Sequence, residues 1–204
     1  MQNLTMEWSI IPNILSTEQI HTILYGDIWW KHQVSRTRTI QKKYRGTSSV
    51  LEDLRYFNWV QLPDGRIDIN IPHGLHCLIP IPDNVLQMFP GYTIVHINLL
   101  VTPSGAQTQQ WHQDNGKLSL QDYYTILIPL NYSPGMGKTQ LVVPYKHKLP
   151  KDPVFTEPHL ALGDGLCFSG ALWHRGTANM SNDTRYCIYL IISRRPEMTV
   201  EGWR

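Results

Sequence analysis

Two histidines and an aspartate of this chain have the types and spacing of a metal site. His112 and Asp114 stand one residue apart in Trp111-His112-Gln113-Asp114, and His174 lies downstream in Trp173-His174-Arg175-Gly176. In an extended backbone, side chains two apart project to the same face, so His112 and Asp114 can point together into a barrel. Two neutral imidazoles and one carboxylate on one side of a metal form the facial triad of non-haem Fe(II) oxygenases, which leaves three coordination positions open. Two of these can chelate a 2-oxo acid through its keto oxygen and adjacent carboxylate, and the third can take O2. The same atoms also suit zinc or manganese. An isolated His-x-Asp arises by chance as well, and a surface histidine beside an aspartate is its commoner meaning.

A fourth residue sharpens the pattern. Arg185 opens the apolar run Arg185-Tyr186-Cys187-Ile188-Tyr189-Leu190-Ile191-Ile192 and shares its alternating face with Cys187 and Tyr189. A lone arginine at such a place is ordinarily an edge charge. Following His174 as it does, it also suits a dicarboxylate cosubstrate, because a guanidinium holds a carboxylate through two parallel hydrogen bonds. Further cosubstrate contacts are expected from Asn98, with His96 on the same strand face, and from Tyr124 at the start of the following strand. Each is equally open to being a satisfied interior polar group. Trp173 and Phe168 flank the distal ligand and could exclude water from a reactive oxidant, though apolar packing is the commoner reason for such residues. His21, His32, His73, His76, His147 and His159 lack a comparably spaced carboxylate and read as structural or surface residues; Pro72 and Gly74 put His73 and His76 in a loop.

The elements that must carry these groups differ along the chain. Ser16 is placed to cap a helix through Glu18, Ile20, Ile23 and Leu24, with Gln19 at the capping-box position and Gly26 at its end. The stretch from Trp29 to Arg45 is a basic block, with Lys31, Arg36, Arg38, Lys42, Lys43 and Arg45 and no acid. Ser48 to Trp59 has a short helix-like pattern, and Pro63-Asp64-Gly65 is a turn. From Ile67 onward short apolar or alternating runs are punctuated by proline and glycine, as in an all-β barrel or jelly roll. The predicted strands are Tyr92 to Val101, Tyr123 to Leu130, Thr139 to Val143, Leu166 to Phe168 and Arg185 to Ser193, with a helical turn or two over Asn84 to Phe89.

Composition bounds the rest. A chain of 204 residues without repeats or linkers suits one domain, with a helical N-terminal part of about residues 1–90 packed on a β core of about 91–195. Hydrophobic residues at 42% and charged residues at 17% exclude a disordered or fibrous chain, and a net charge of +2 does not by itself argue for a polyanionic partner. Cys77, Cys167 and Cys187 are odd in number and far apart, which disfavours a disulfide framework and favours a reducing compartment. The apolar runs are strand-sized and no leader pattern opens the chain, so a soluble cytoplasmic protein without a membrane span is expected.

The C-terminal half resembles the phytanoyl-CoA dioxygenase family of 2-oxoglutarate oxygenases. The likeness rests on Trp111-His112-Gln113-Asp114, on Gly137-Lys138-Thr139-Gln140-Leu141-Val142-Val143-Pro144, and on His174-Arg175-Gly176-Thr177-Ala178-Asn179-Met180-Ser181 running on to Arg185. It implies a double-stranded β-helix, iron held by His112, Asp114 and His174, and the distal carboxylate of 2-oxoglutarate held by Arg185. It also implies oxidation of a C–H bond, usually hydroxylation, with release of succinate and carbon dioxide. Pro144-Tyr145-Lys146-His147 departs from the family's Pro-Gly-Ser-His and leaves the metal triad untouched. Asp114 disfavours the related halogenases, which lack that carboxylate.

A small-molecule or carrier-bound substrate is favoured. The basic block, with Trp29, Trp30 and Tyr44 interleaved, motivates a nucleic-acid oxygenase as a rival, since such residues can hold phosphates and stack bases. A solvated charged face is the plainer account of it. A protein-modifying oxygenase stays open, and a non-catalytic cupin-like binding module is the rival from another class. Such a module has no need of all three ligands together with Arg185.

Overall fold

The alternating runs form the strands they predict. The structure, a computed structural model, describes residues 7–25, 59–71, 79, 81–114 and 120–195. Its strands are β1 (Trp8–Ile11), β2 (Trp59–Gln61), β3 (Ile67–Ile71), β4 (Thr93–Thr102), β5 (Tyr123–Pro129), β6 (Thr139–Val142), β7 (Phe155–Thr156), β8 (Gly165–Ser169), β9 (His174–Gly176) and β10 (Arg185–Ser193). The helices are α1 (Thr17–Tyr25) and α2 (Asp83–Gln87). The basic block, the helix-like stretch after Ser48, and His73, His76 and Cys77 lie outside the described residues.

Seven strands make one antiparallel sheet in the order β1-β8-β5-β10-β4-β3-β2, and β7-β6-β9 make a smaller one. Strands distant in sequence lie side by side, as in the double-sheet jelly roll. The central strand β10 pairs with β4 on one side and β5 on the other, which puts Tyr189 opposite both Asn98 and Leu127. Because side chains alternate across a strand, this register sorts the large sheet into two faces. Ile69, Ile97, Leu99, Ile126, Ile188 and Leu190 pack on the outer side with Ile20, Ile23 and Leu24 of α1. Leu127, Leu166, Phe168, Cys187, Tyr189 and Ile191 pack on the inner side with Leu141 of the small sheet.

The N-terminal elements are tied to this core. The Ser16 N–H donates to Gln19 Oε1 at 2.8 Å and the Gln19 N–H donates to Ser16 Oγ at 3.2 Å, the reciprocal capping box expected for α1. The opening segment, by contrast, forms β1, which extends the large sheet by pairing with β8. Four residues with a single buried member carry too little alternation to announce a strand.

Pro63-Asp64-Gly65 turns β2 into β3, with Gly65 at φ 88°. This turn presents Arg66, a fully buried guanidinium that sequence reasoning passed over. Arg66 pairs with Asp64 at 2.7 Å and donates to the carbonyls of Gln107 and Thr177 at 2.8 and 2.7 Å. It therefore ties the β2–β3 turn to the segments leading to His112 and away from His174. Removing one member of a buried pair leaves the other uncompensated, at a cost of about 3–5 kcal/mol. Urea unfolding of Arg66→Met is expected to show a loss of about that size; a loss within ordinary surface values would contradict this role.

Candidate active site

Backbone pairing brings the two histidines together. The His112 N–H donates to the His174 carbonyl at 3.0 Å and the His174 N–H returns to the His112 carbonyl at 2.8 Å. Directly opposed residues of an antiparallel pair project on one face, and the imidazole centroids lie 4.3 Å apart. The approach continues at Gly176, whose N–H donates to Gln109 Oε1 at 2.8 Å. A Cβ at Gly176 would sit 2.9 Å from both that oxygen and an Arg66 nitrogen, so a side chain there would displace the Gln109 carboxamide and the Arg66 guanidinium.

Asp114 does not lie on a strand. His112 occupies a single bridge position and the chain bends at Asp114. The bend turns the carboxylate toward His174, with Oδ1 3.3 Å from Nε2. Thr125 of β5 donates to Oδ2 at 2.5 Å and so fixes the carboxylate against the large sheet. Gln113 donates to the Ala171 carbonyl at 2.5 Å, which anchors the bend between the two ligands.

The ring orientations prepare both imidazoles for coordination. Nδ1 of His112 faces the Gln110 carbonyl at 2.9 Å, and Nδ1 of His174 faces the Leu172 carbonyl at 3.0 Å. A carbonyl only accepts, so each Nδ1 carries the proton and each neutral ring keeps its Nε2 lone pair for a metal. Burial, aided by the neighbouring His174, lowers the His112 pKa and favours its neutral form. At Asp114 burial pushes the pKa up, but the attraction of His174 and the hydrogen bonds it receives outweigh this and the net direction is down. Burial likewise opposes the charge on His174, and the Asp114 carboxylate overcomes it and raises the pKa. A cation between Nε2 and the carboxylate satisfies both groups.

The three donor atoms lie within 4.8 Å of one another. Ligand bonds of about 2.1 Å at right angles place neighbouring donors about 3 Å apart, close to the His174–Asp114 separation. Two imidazoles and a carboxylate therefore fit one divalent first-row metal ion on a single face. Loss of a partner that orients a ligand costs about 10- to 100-fold in metal affinity. Thr125→Val is expected to weaken Mn(II) binding by about that factor in a calorimetric titration, and an unchanged affinity would remove Thr125 from the site.

The triad opens into a cavity of about 700 Å³ between the sheets. Arg185, only 6% exposed, lines this cavity together with Thr139 of the small sheet. Among the described residues, no carboxylate lies within ion-pair distance of its guanidinium. Asn98 stands instead within the sheet's polar network, donating to Tyr189 and to Asp68 at 2.8 Å each, and His96 meets Asn70. Tyr124 belongs to an aromatic cluster with Phe89 and Tyr92 on the outer face. Alternation is the reason: on β5 it is Thr125 and Leu127 that line the cavity. Phe168 packs against the His174 ring with centroids 4.7 Å apart.

On the outer side of the ligand strands, Arg175 stacks over Trp111 at 4.3 Å and donates to Gln140 at 2.8 Å. This stack clasps the backbones that carry His112 and His174. Thr125, Arg66, Asp68 and Thr139 are among the cavity residues that sequence reasoning missed. Asp68 did leave a signal, since Ile67-Asp68-Ile69-Asn70-Ile71 alternates, but alternation alone assigns the polar face to solvent rather than to a cavity.

No protein-family model and no curated protein sequence matches the chain. Solved structures do. The chain is similar to the non-haem α-ketoglutarate-dependent epimerase SnoN from nogalamycin biosynthesis, at 13% identity over 92% of this chain and 76% of that one, with a TM-score of 0.63. It is similar to HygX from Streptomyces hygroscopicus, solved with nickel and 2-oxoglutarate, at 13% identity over 93% and 83%, with a TM-score of 0.58. A prolyl-4-hydroxylase from Pseudomonas putida matches at 15% identity over 94% of each chain, with a TM-score of 0.53. These likenesses establish the jelly-roll fold of non-haem oxygenases for this chain.

Proposed function

We propose that this chain is an Fe(II)- and 2-oxoglutarate-dependent dioxygenase related to the phytanoyl-CoA dioxygenase family, hydroxylating a small-molecule or carrier-bound substrate with release of succinate and carbon dioxide. One observation carries the reading: two imidazoles, each with Nδ1 turned to a backbone carbonyl, and one carboxylate converge on a cavity whose wall also holds the buried guanidinium of Arg185. The fold shared with SnoN, HygX and the prolyl-4-hydroxylase supports it, because SnoN is α-ketoglutarate-dependent and HygX binds 2-oxoglutarate.

Iron and 2-oxoglutarate, when bound, would supply the oxidation, consuming O2 and coupling decarboxylation to attack on a C–H bond. His112, Asp114 and His174 would hold the iron on one face and leave the other open to the cosubstrate. Arg185 would take the distal carboxylate, and Thr139 lines the same cavity. Leu127 and Phe168 line the cavity and would limit water beside a bound metal. Asn98 would act through Tyr189 and Asp68, and Tyr124 would support β5 from behind.

The N-terminal part of about residues 1–90 and the core of about 91–195 would work as one domain, for β1 completes the large sheet and α1 covers its outer face. Cys167 and Cys187 are free and buried, as suits a reducing compartment such as the cytoplasm. Among the described residues no helix is long and apolar enough to cross a membrane.

The test uses protein purified without oxygen. Adding Fe(II), 2-oxoglutarate and then air should release succinate, slowly even without a prime substrate, and 2-oxoglutarate should bind only when a divalent metal is present. Failure of both binding and turnover would favour a cupin-like binding module.

A further inference from the structure

The wall of the cavity holds a carboxylate that is assigned neither to the metal nor to the distal carboxylate of 2-oxoglutarate. Asp68 lies on β3, projects to the inner face of the large sheet and lines the cavity. Tyr189 donates to its Oδ2 at 2.7 Å and Asn98 donates to its Oδ1 at 2.8 Å. Asn98 is held in turn by Asn70, which donates to its Oδ1 at 3.2 Å. The carboxylate is thus set in one orientation by neutral groups, which aim it without cancelling its charge.

The other charges of the cavity have partners. Arg66 and Asp64 pair with each other at 2.7 Å. Asp114 belongs to the metal triad, and Arg185 would be taken by a dicarboxylate. Among the described residues no lysine or arginine lies within ion-pair distance of Asp68. Burial raises its pKa, the hydrogen bonds from Tyr189 and Asn98 pull back against this, and the Asp114 carboxylate adds further repulsion. A cation arriving from the cavity would offset the repulsion from Asp114 and pair the buried charge, so that burial ceases to be a penalty.

We infer that Asp68 is a specificity residue for a prime substrate carrying a protonated nitrogen, an ammonium or guanidinium group, whose cation it holds while a C–H bond faces the metal. This rests on the oxygenase reading. It also predicts rejection of anionic substrates, since with a dicarboxylate at Arg185 a second anion would meet Asp68 unpaired.

The test is ligand-observed NMR on full-length protein loaded with Zn(II) and 2-oxoglutarate, using three probes of one shape: phenethylammonium, phenethyl alcohol and phenylacetate. Phenethylammonium is expected to bind at least about tenfold more tightly than the alcohol, with phenylacetate weakest, and Asp68→Asn should abolish that order. Tyr189→Phe keeps the carboxylate while removing a donor, so it should retain the preference and covers the case in which Asp68→Asn does not fold. Equal binding of the ammonium and alcohol probes by the wild type, a preference for phenylacetate, or an undiminished ammonium preference in Asp68→Asn would overturn the inference. Retention of 2-oxoglutarate is measured in the same samples. If the wild type holds 2-oxoglutarate without preferring the ammonium, only the cation site falls; if 2-oxoglutarate does not bind, the oxygenase reading falls first.

Discussion

His174→Ala is expected to lower affinity for Fe(II) or Mn(II) by more than about 100-fold and to take succinate formation below detection. The bound follows from comparison: loss of a residue that only orients a ligand costs about 10- to 100-fold, and removing the ligand itself must cost more. His112→Ala and Asp114→Ala should behave alike, because each supplies one of the three donors of the cluster. The fold should survive. The pairing of His112 with His174 is made by backbone groups at 2.8 and 3.0 Å, which alanine retains. Calorimetric metal titration with circular dichroism as the fold control checks this, and full turnover in any one of the three variants would contradict the triad.

Arg185→Gln is expected to raise the 2-oxoglutarate requirement by about 30-fold or more while changing turnover at saturation far less. Truncating one partner of a buried charged pair costs about 2–5 kcal/mol, and about 1.4 kcal/mol is tenfold in affinity. Arg185 qualifies because it is buried on the inner face, and its contacts include the Cys187 thiol rather than an acid. Arg185→Lys should fall between, since an ammonium keeps the charge but not the two parallel donors. A titration of initial rate against 2-oxoglutarate distinguishes the cases; an unchanged requirement in Arg185→Gln would reassign the residue to packing.

Both expectations began with residue types and order, and much of the fold was legible in the same way. The runs from Thr93, Tyr123 and Arg185 alternate or stay apolar over seven or more positions, long enough for the period of two to declare itself. The capping box at Ser16 and Gln19 was readable because it is local, a matter of three residues. The short strands were not. β1, β7 and β9 span four, two and three residues, too few for a period of two to declare itself, and the partner of β1 lies more than 150 positions along the chain.

The choice of face was harder still. Tyr124 and Thr125 are neighbours on β5, and either could have pointed at the metal. The register against β8 and β10 turned Thr125 inward and Tyr124 toward Phe89 and Tyr92. Arg66 was overlooked for a related reason: a single arginine after a turn reads as surface, and only the convergence of Asp64, Gln107 and Thr177 around it makes a buried guanidinium tolerable.

By itself, then, the amino-acid order determined which side chains could bind a metal and a dicarboxylate, and that a β-rich core would carry them, because donor chemistry and alternation are properties of residue type and spacing. Tertiary structure alone decided that His112 meets His174 across one backbone pair, that Thr125 steadies Asp114, and that Asp68 faces a cavity instead of water. Those outcomes depend on strand register between segments far apart in the chain, and a shift of one residue would send each of these side chains to the opposite face.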